Sequence, residues 1–139
     1  RIMLREGLPQ VFARHATGSR AVVAGLEAMG LRVFGDKANK LPNVTGVWIP
    51  EGVNGERVRA GMLNDFNIEI GTSFGQLQGR IWRIGAMGYN ARKDAVLVTL
   101  AALETVLAAE GFKLTRGAGV DAARAMYQGA DAAAAKKAA

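Results

Sequence analysis

The sequence predicts an α+β fold: a small, mostly antiparallel sheet covered on one face by helices, followed by an alanine-rich helical tail. Three observations predict it. Apolar residues step by three or four along three stretches, from Leu4 to Met29, from Val58 to Phe66 and from Val96 to Leu107, which is the spacing of one helix face. Between them lie short apolar runs at 31–34, 44–49, 68–70 and 80–84 that have the length and residue types of strands. The order is helix, two strands, helix, two strands, helix, and the short connections favour antiparallel neighbours.

Each element has its own local cause. Leu4, Leu8, Val11, Phe12, His15, Ser19, Val22, Leu26 and Met29 form one helical stripe. Pro9 interrupts it, so Gly7-Leu8-Pro9 is either a kink or a fresh start with proline in the first turn. Gly30 is placed to end this helix. His15 falls on the apolar stripe and reads as a packed, hydrogen-bonded residue at the core edge. Residues 31–34 form a short strand closed by Gly35-Asp36. Residues 44–49 form a second, stopped by Pro50, and the run Val47-Trp48-Ile49 reads as a central strand. Asn54 caps the next helix. Ile68-Glu69-Ile70 is a third strand, followed by the glycine loop 71–75. That loop has serine and threonine beside glycine but lacks the ending of a phosphate-binding P-loop. Residues 80–84 make the fourth strand. A helix then runs from Ala91 to Glu110 and Gly111 ends it. The domain spans 1–114, and 115–139 is an alanine-rich tail that favours helix.

Composition excludes several classes. The chain has 139 residues, half of them hydrophobic, which suits one globular domain. It has no cysteine and one histidine, so disulfides, thiolate metal sites and clustered imidazole ligation are excluded, and no metal ligands are predicted. Charges interrupt every apolar run, so no membrane partner is expected. The net charge of +6 raises nucleic acid as a partner. The basic residues are dispersed, with no run beyond Arg92-Lys93 or Lys136-Lys137 and no interleaved aromatics, so nucleic acid is not expected either. Arg1 opens a helix already under way, which predicts a fragment of a longer chain.

The stretch Arg80 to Asn90 is the part that carries chemistry. A strand feeds a turn at Gly85 and Gly88, and Asn90 is placed to cap the helix beginning at Ala91. Alternation puts Arg83 on one face with Ile81, and Trp82 and Ile84 on the other. A guanidinium presents a fork matched to a carboxylate. The residues alone leave Arg83 either as such an anion clamp or as an ordinary salt-bridged arginine at a strand end.

This stretch resembles the C-terminal domain of class V aminotransferases. The resemblance rests on Arg83-Ile84-Gly85, then Met87-Gly88, then Asn90-Ala91. It extends to the leading helix ending at Leu31-Arg32-Val33, to Asn43 through Pro50 with Gly52-Val53-Asn54, and to Glu69-Ile70-Gly71 leading toward Arg83. It covers roughly residues 1–114 and is nearest the alanine–glyoxylate and (S)-ureidoglycine–glyoxylate group. The resemblance implies a fold-type I enzyme using pyridoxal 5'-phosphate to move an amino group to glyoxylate, with Arg83 binding the substrate carboxylate. It implies that the lysine and other groups holding the cofactor lie in a large domain outside this chain. This fragment is then expected to carry no catalytic or cofactor-binding residue and to be inactive alone. The expected partners are that missing large domain, a second subunit in a homodimer, and a small amino or oxo acid, in a cytoplasmic setting. The alternative is a free-standing regulatory or interaction module that binds a small acid or a partner protein without catalysis.

Overall fold

The computed structural model describes residues 1–138. Two helices lead: α1 (Ile2–Glu6) and α2 (Leu8–Ala28). Gly7 separates them at φ 87°, a conformation that L side chains avoid, and Pro9 lies in the first turn of α2. The proline therefore starts a helix rather than kinking one. The stripe predicted along α2 buries Val11, Val22 and Leu26, and Met29 follows it into the core.

Three strands form one antiparallel sheet: β1 (Val44–Trp48), β2 (Gly71–Thr72) and β3 (Ile81–Gly85), in the order β1-β3-β2. The centre is β3, so the expectation of a central strand at 44–49 is corrected. The far edge of β1 is met instead by residues 32–34. Phe34 N–H donates to Gly46 C=O at 2.8 Å and Trp48 N–H to Arg32 C=O at 2.9 Å. That segment makes only the single bridge Val33–Val47, not the strand predicted there, because Gly35 at φ 84° turns the chain away. Residues 68–70 also fail to form a strand. Ile68 N–H donates to Met62 C=O to close the preceding helix, and Arg59 Nε takes the Ile70 carbonyl at 3.0 Å, so both groups are spent before pairing begins. Pairing starts one residue later, with Gly71 opposite Arg83.

Between the strands, α3 (Gly55–Phe66) starts at Asn54, whose side chain accepts from the Glu56 and Arg57 N–H groups. The sheet is followed by α4 (Lys93–Ala109) and α5 (Ala118–Ala138). One face of the sheet, carrying Val47, Trp82 and Ile84, packs into a core with Val22, Leu26, Met62, Leu100, Leu103 and Leu107 from the helices. The predicted start of α4 was two residues early. Asn90 lies in a short 3-10 turn (Gly88–Asn90), and the residue ahead of α4 is Arg92, with no side-chain cap.

The alanine-rich segment is built into the fold. Ala123 and Tyr127 of α5 belong to the same core. Glu104 of α4 is buried, and its carboxylate accepts from the Gly117 and Gly119 N–H groups at 2.8 and 2.7 Å, satisfying donors at the start of α5. Gly25 of α2 and Gly119 of α5 meet backbone to backbone: a methyl group on either would stand 3.0 Å from the other's carbonyl oxygen. Glycine is what permits that crossing.

Candidate functional site

Arg83 stands where the alternation of β3 puts it. Trp82 on its one side is 1% exposed and gives its indole N–H to Gly55 C=O at 3.1 Å. Arg83 points to the opposite face, together with Gly46, Trp48 and Ile81 by the register of β1 and β3. Ile81 is buried there, yet lies outside the helix-packed core. The guanidinium is anchored at its base. Nε donates to Thr72 C=O at 2.6 Å, and the guanidinium carbon lies 4.7 Å from the centre of the Phe74 ring. Gly71 lies directly across from Arg83, and a methyl there would stand in ordinary van der Waals contact with it, 3.6 Å from Nε. Among the described residues the two terminal nitrogens have no hydrogen-bond partner and no carboxylate within salt-bridge range. An arginine held by Nε with its fork free can receive a planar carboxylate in two parallel bonds.

The same face carries other unpaired charge. Arg32 and Arg80 sit over Trp48, with guanidinium carbons 4.5 and 5.4 Å from its ring centre. Phe34 meets Trp48 edge to face at 5.4 Å. Neither arginine has a carboxylate partner among the described residues, whereas Arg14, Arg57, Arg59, Arg92 and Arg124 all do. The result is a positive field around Arg83, which draws small anions toward it.

The turn after β3 is gripped from α2. His15 Nδ1 pairs with Val11 C=O at 2.7 Å, and Gly88 N–H donates to His15 Nε2 at 2.9 Å. Arg14 donates to Gly88 C=O at 2.7 Å while holding both oxygens of Glu6 at 2.6 and 2.8 Å. That pairing holds the Glu6 carboxyl below the usual carboxylate range. His15 is thus the hydrogen-bonded core-edge residue expected, with a further task. The sequence hid Thr72, Phe74 and the Gly88 grip, because all three depend on contacts across the fold. Only the glycine at 88 hinted at a constrained turn.

A part-buried amine stands in a groove beside α2. Lys40 donates to Ser19 Oγ at 2.7 Å, and burial pushes its pKa down. Its groove is lined by Ala16, Arg20, Val23 and Met126, with no aromatic ring to stack on a cofactor. The nearby Glu27 is taken by Lys37 at 2.6 Å. These residues do not fit a pyridoxal ring. Among the described residues no group of three or more His, Asp or Glu side chains could hold a metal, and no helix is long and apolar enough to cross a membrane.

Fold and site together define a small α+β domain, a three-stranded antiparallel sheet with helices that presents an arginine fork from its central strand. Comparison with known proteins names the family. The chain is 50% identical over 131 residues to the (S)-ureidoglycine–glyoxylate transaminase of Bacillus subtilis, covering 94% of this chain and 30% of that protein. It is 34% identical over 139 residues to the L-aspartate–glyoxylate aminotransferase of Paracoccus denitrificans, covering 99% of this chain and 35% of that one. It superimposes on the crystal structure of the Bacillus subtilis ureidoglycine–glyoxylate aminotransferase with a TM-score of 0.89 at 49% identity, over 92% of this chain and 33% of that one. No protein-family model matches the chain. The chain belongs to the class V aminotransferases and corresponds to their C-terminal domain. It spans about a third of the length of the relatives it matches. Both alignments are longer than 114 residues, so both run on into the alanine-rich segment.

Proposed function

We propose that this chain is the substrate-carboxylate-binding domain of a pyridoxal-phosphate-dependent glyoxylate aminotransferase, with Arg83 as the clamp. The observation that carries this is the Arg83 side chain, anchored through Nε to Thr72 with both terminal nitrogens unpaired among the described residues. The family membership favours this reading over a free-standing regulatory module. Pyridoxal phosphate supplies the electron sink for amino transfer when bound. The remainder of the polypeptide holds it, and this chain alone is inactive. Arg83 contributes orientation, fixing the amino or oxo acid by its carboxylate before proton transfer. Glyoxylate is the amino acceptor, with (S)-ureidoglycine or alanine as donor, and the whole enzyme acts as a cytoplasmic homodimer.

The test uses the full-length polypeptide. Arg83→Lys keeps the charge and loses the fork. A lost charged hydrogen bond costs about 1.5–3 kcal/mol, so kcat/KM for the oxo-acid half-reaction should fall by about 10- to 150-fold. Arg83→Ala should fall further, while cofactor absorbance stays normal in both. Unchanged kcat/KM in Arg83→Ala would sink the assignment. Loss of bound cofactor would instead make Arg83 a structural residue.

A further inference from the structure

We propose that Phe74 is a positioning residue for carboxylate recognition: its ring covers one face of the Arg83 guanidinium and holds the fork ready for a small oxo acid. This deepens the reading of Arg83 as the substrate clamp and rests on it. Phe74 is 73% exposed. Single apolar side chains are common on protein surfaces, so its place decides its meaning.

The backbone at Phe74 is extended, with φ −123° and ψ 164°, which sends successive side chains to opposite sides. Ser73 is buried, and Phe74 stands out against Arg83, with the guanidinium carbon 4.7 Å from its ring centre. The hydrogen-bond acceptor for Arg83 Nε, the Thr72 carbonyl, comes from the same short segment. The loop beyond is closed by its own backbone. Leu77 N–H donates to Phe74 C=O at 3.2 Å, and Arg80 N–H to Leu77 C=O at 3.0 Å, at the threshold of β3. One segment therefore supplies both contacts that place the fork.

A single hydrogen bond at Nε lets a guanidinium swing about it. A ring against one face removes that freedom before binding, which lowers the ordering cost of association. It also leaves open the edge that carries the two terminal nitrogens. Arg92 supplies the contrast. It too donates through Nε to a carbonyl, that of Tyr89 at 3.1 Å, and its guanidinium carbon lies 3.9 Å from an aromatic ring centre. Its terminal nitrogens are occupied, one by the Tyr89 hydroxyl at 2.9 Å and the other by Asp94 at 3.3 Å. A phenyl ring has no hydroxyl to occupy a fork, so at Phe74 the same kind of support leaves Arg83 available.

The test uses the full-length polypeptide with its cofactor, and glyoxylate as the oxo acid. The ring supports the fork equally before and during reaction. Phe74→Ala should therefore raise the half-saturating glyoxylate concentration about 3- to 30-fold, the range of a cation–π contact, and leave the saturating rate of that half-reaction unchanged. The inhibition constant of acetate, which has the carboxylate and no oxo group, should rise by the same factor. Phe74→Leu, which covers the guanidinium without a π face, should fall between the two. The thermal midpoint should stay within about 2 °C, as for an exposed residue. In an Arg83→Gln background Phe74→Ala should add nothing, because the ring acts through the guanidinium. Unchanged half-saturation in Phe74→Ala would overturn the proposal. So would additive effects in the double variant, or a lower thermal midpoint, which would make Phe74 a structural residue. Arg83→Ala in the same assay separates the two readings. If it lowers kcat/KM while Phe74→Ala changes nothing, this inference is removed and the function stands; if Arg83→Ala also changes nothing, both fall.

Discussion

The two faces of the sheet differ within a single strand. On the helix side, Trp82 and Ile84 are almost fully enclosed, and the Trp82 indole has its partner in Gly55. On the other side, Arg83, Arg32 and Arg80 stand among aromatic rings with no carboxylate partner among the described residues. One face is packed into the core; the other leaves charge available. The packing of the domain is therefore concentrated on one face of the sheet, and its unpaired positive charge on the other.

Substitutions can break that division. Trp82→Ala should have the largest effect, a loss of about 3–5 kcal/mol for a buried aromatic, read as a lower denaturation midpoint. Arg83→Ala should leave stability within about 1.5 kcal/mol, the worth of an ordinary hydrogen bond, while abolishing carboxylate recognition. If Arg83→Ala destabilised as much as Trp82→Ala, the two faces would not be separable. Gly119→Ala comes next. Its methyl would press on the Gly25 carbonyl and the Glu104 carboxylate at 3.0 and 2.9 Å. Overpacking of this kind costs about 1–3 kcal/mol, and a thermal shift below that range would show that α5 is free to move aside. The smallest contrast lies between two asparagines. Asn54→Ala should cost about 0.5–2 kcal/mol as a lost cap. Asn90→Ala should fall within about 0.5 kcal/mol, as an exposed residue making no cap. Urea titration of the pair would reverse the boundary of α4 if Asn90 proved the costlier.

Much of this fold was legible because its signals are local. The stripe of α2, the cap at Asn54, and the alternation that sends Arg83 and Trp82 to opposite faces follow from residue spacing and side-chain chemistry. The errors cluster where a distant partner decides. Residues 68–70 look like a strand, but Arg59 and Met62 take their polar groups. Asn90 looks like a cap, but a 3-10 turn intervenes. The alanine-rich segment reads as an appended helical tail, yet its fit depends on Gly25, nearly a hundred positions earlier in chain order. At the site, the type and direction of Arg83 were readable. Its anchor on Thr72 and its contact with Phe74 were not, because a backbone carbonyl accepts from any neighbour and leaves no mark in the sequence.

The crossing of Gly25 and Gly119 bears on how the protein is made. During synthesis α2 emerges early, but the surface that receives α5 stays bare until every other described element has been translated. The core that contains Ala123 and Tyr127 can close only then. Long separations in sequence slow folding, and a nascent chain with an unfilled groove is exposed to misassociation. The domain should therefore complete its fold late, as a unit, rather than element by element as it leaves the ribosome.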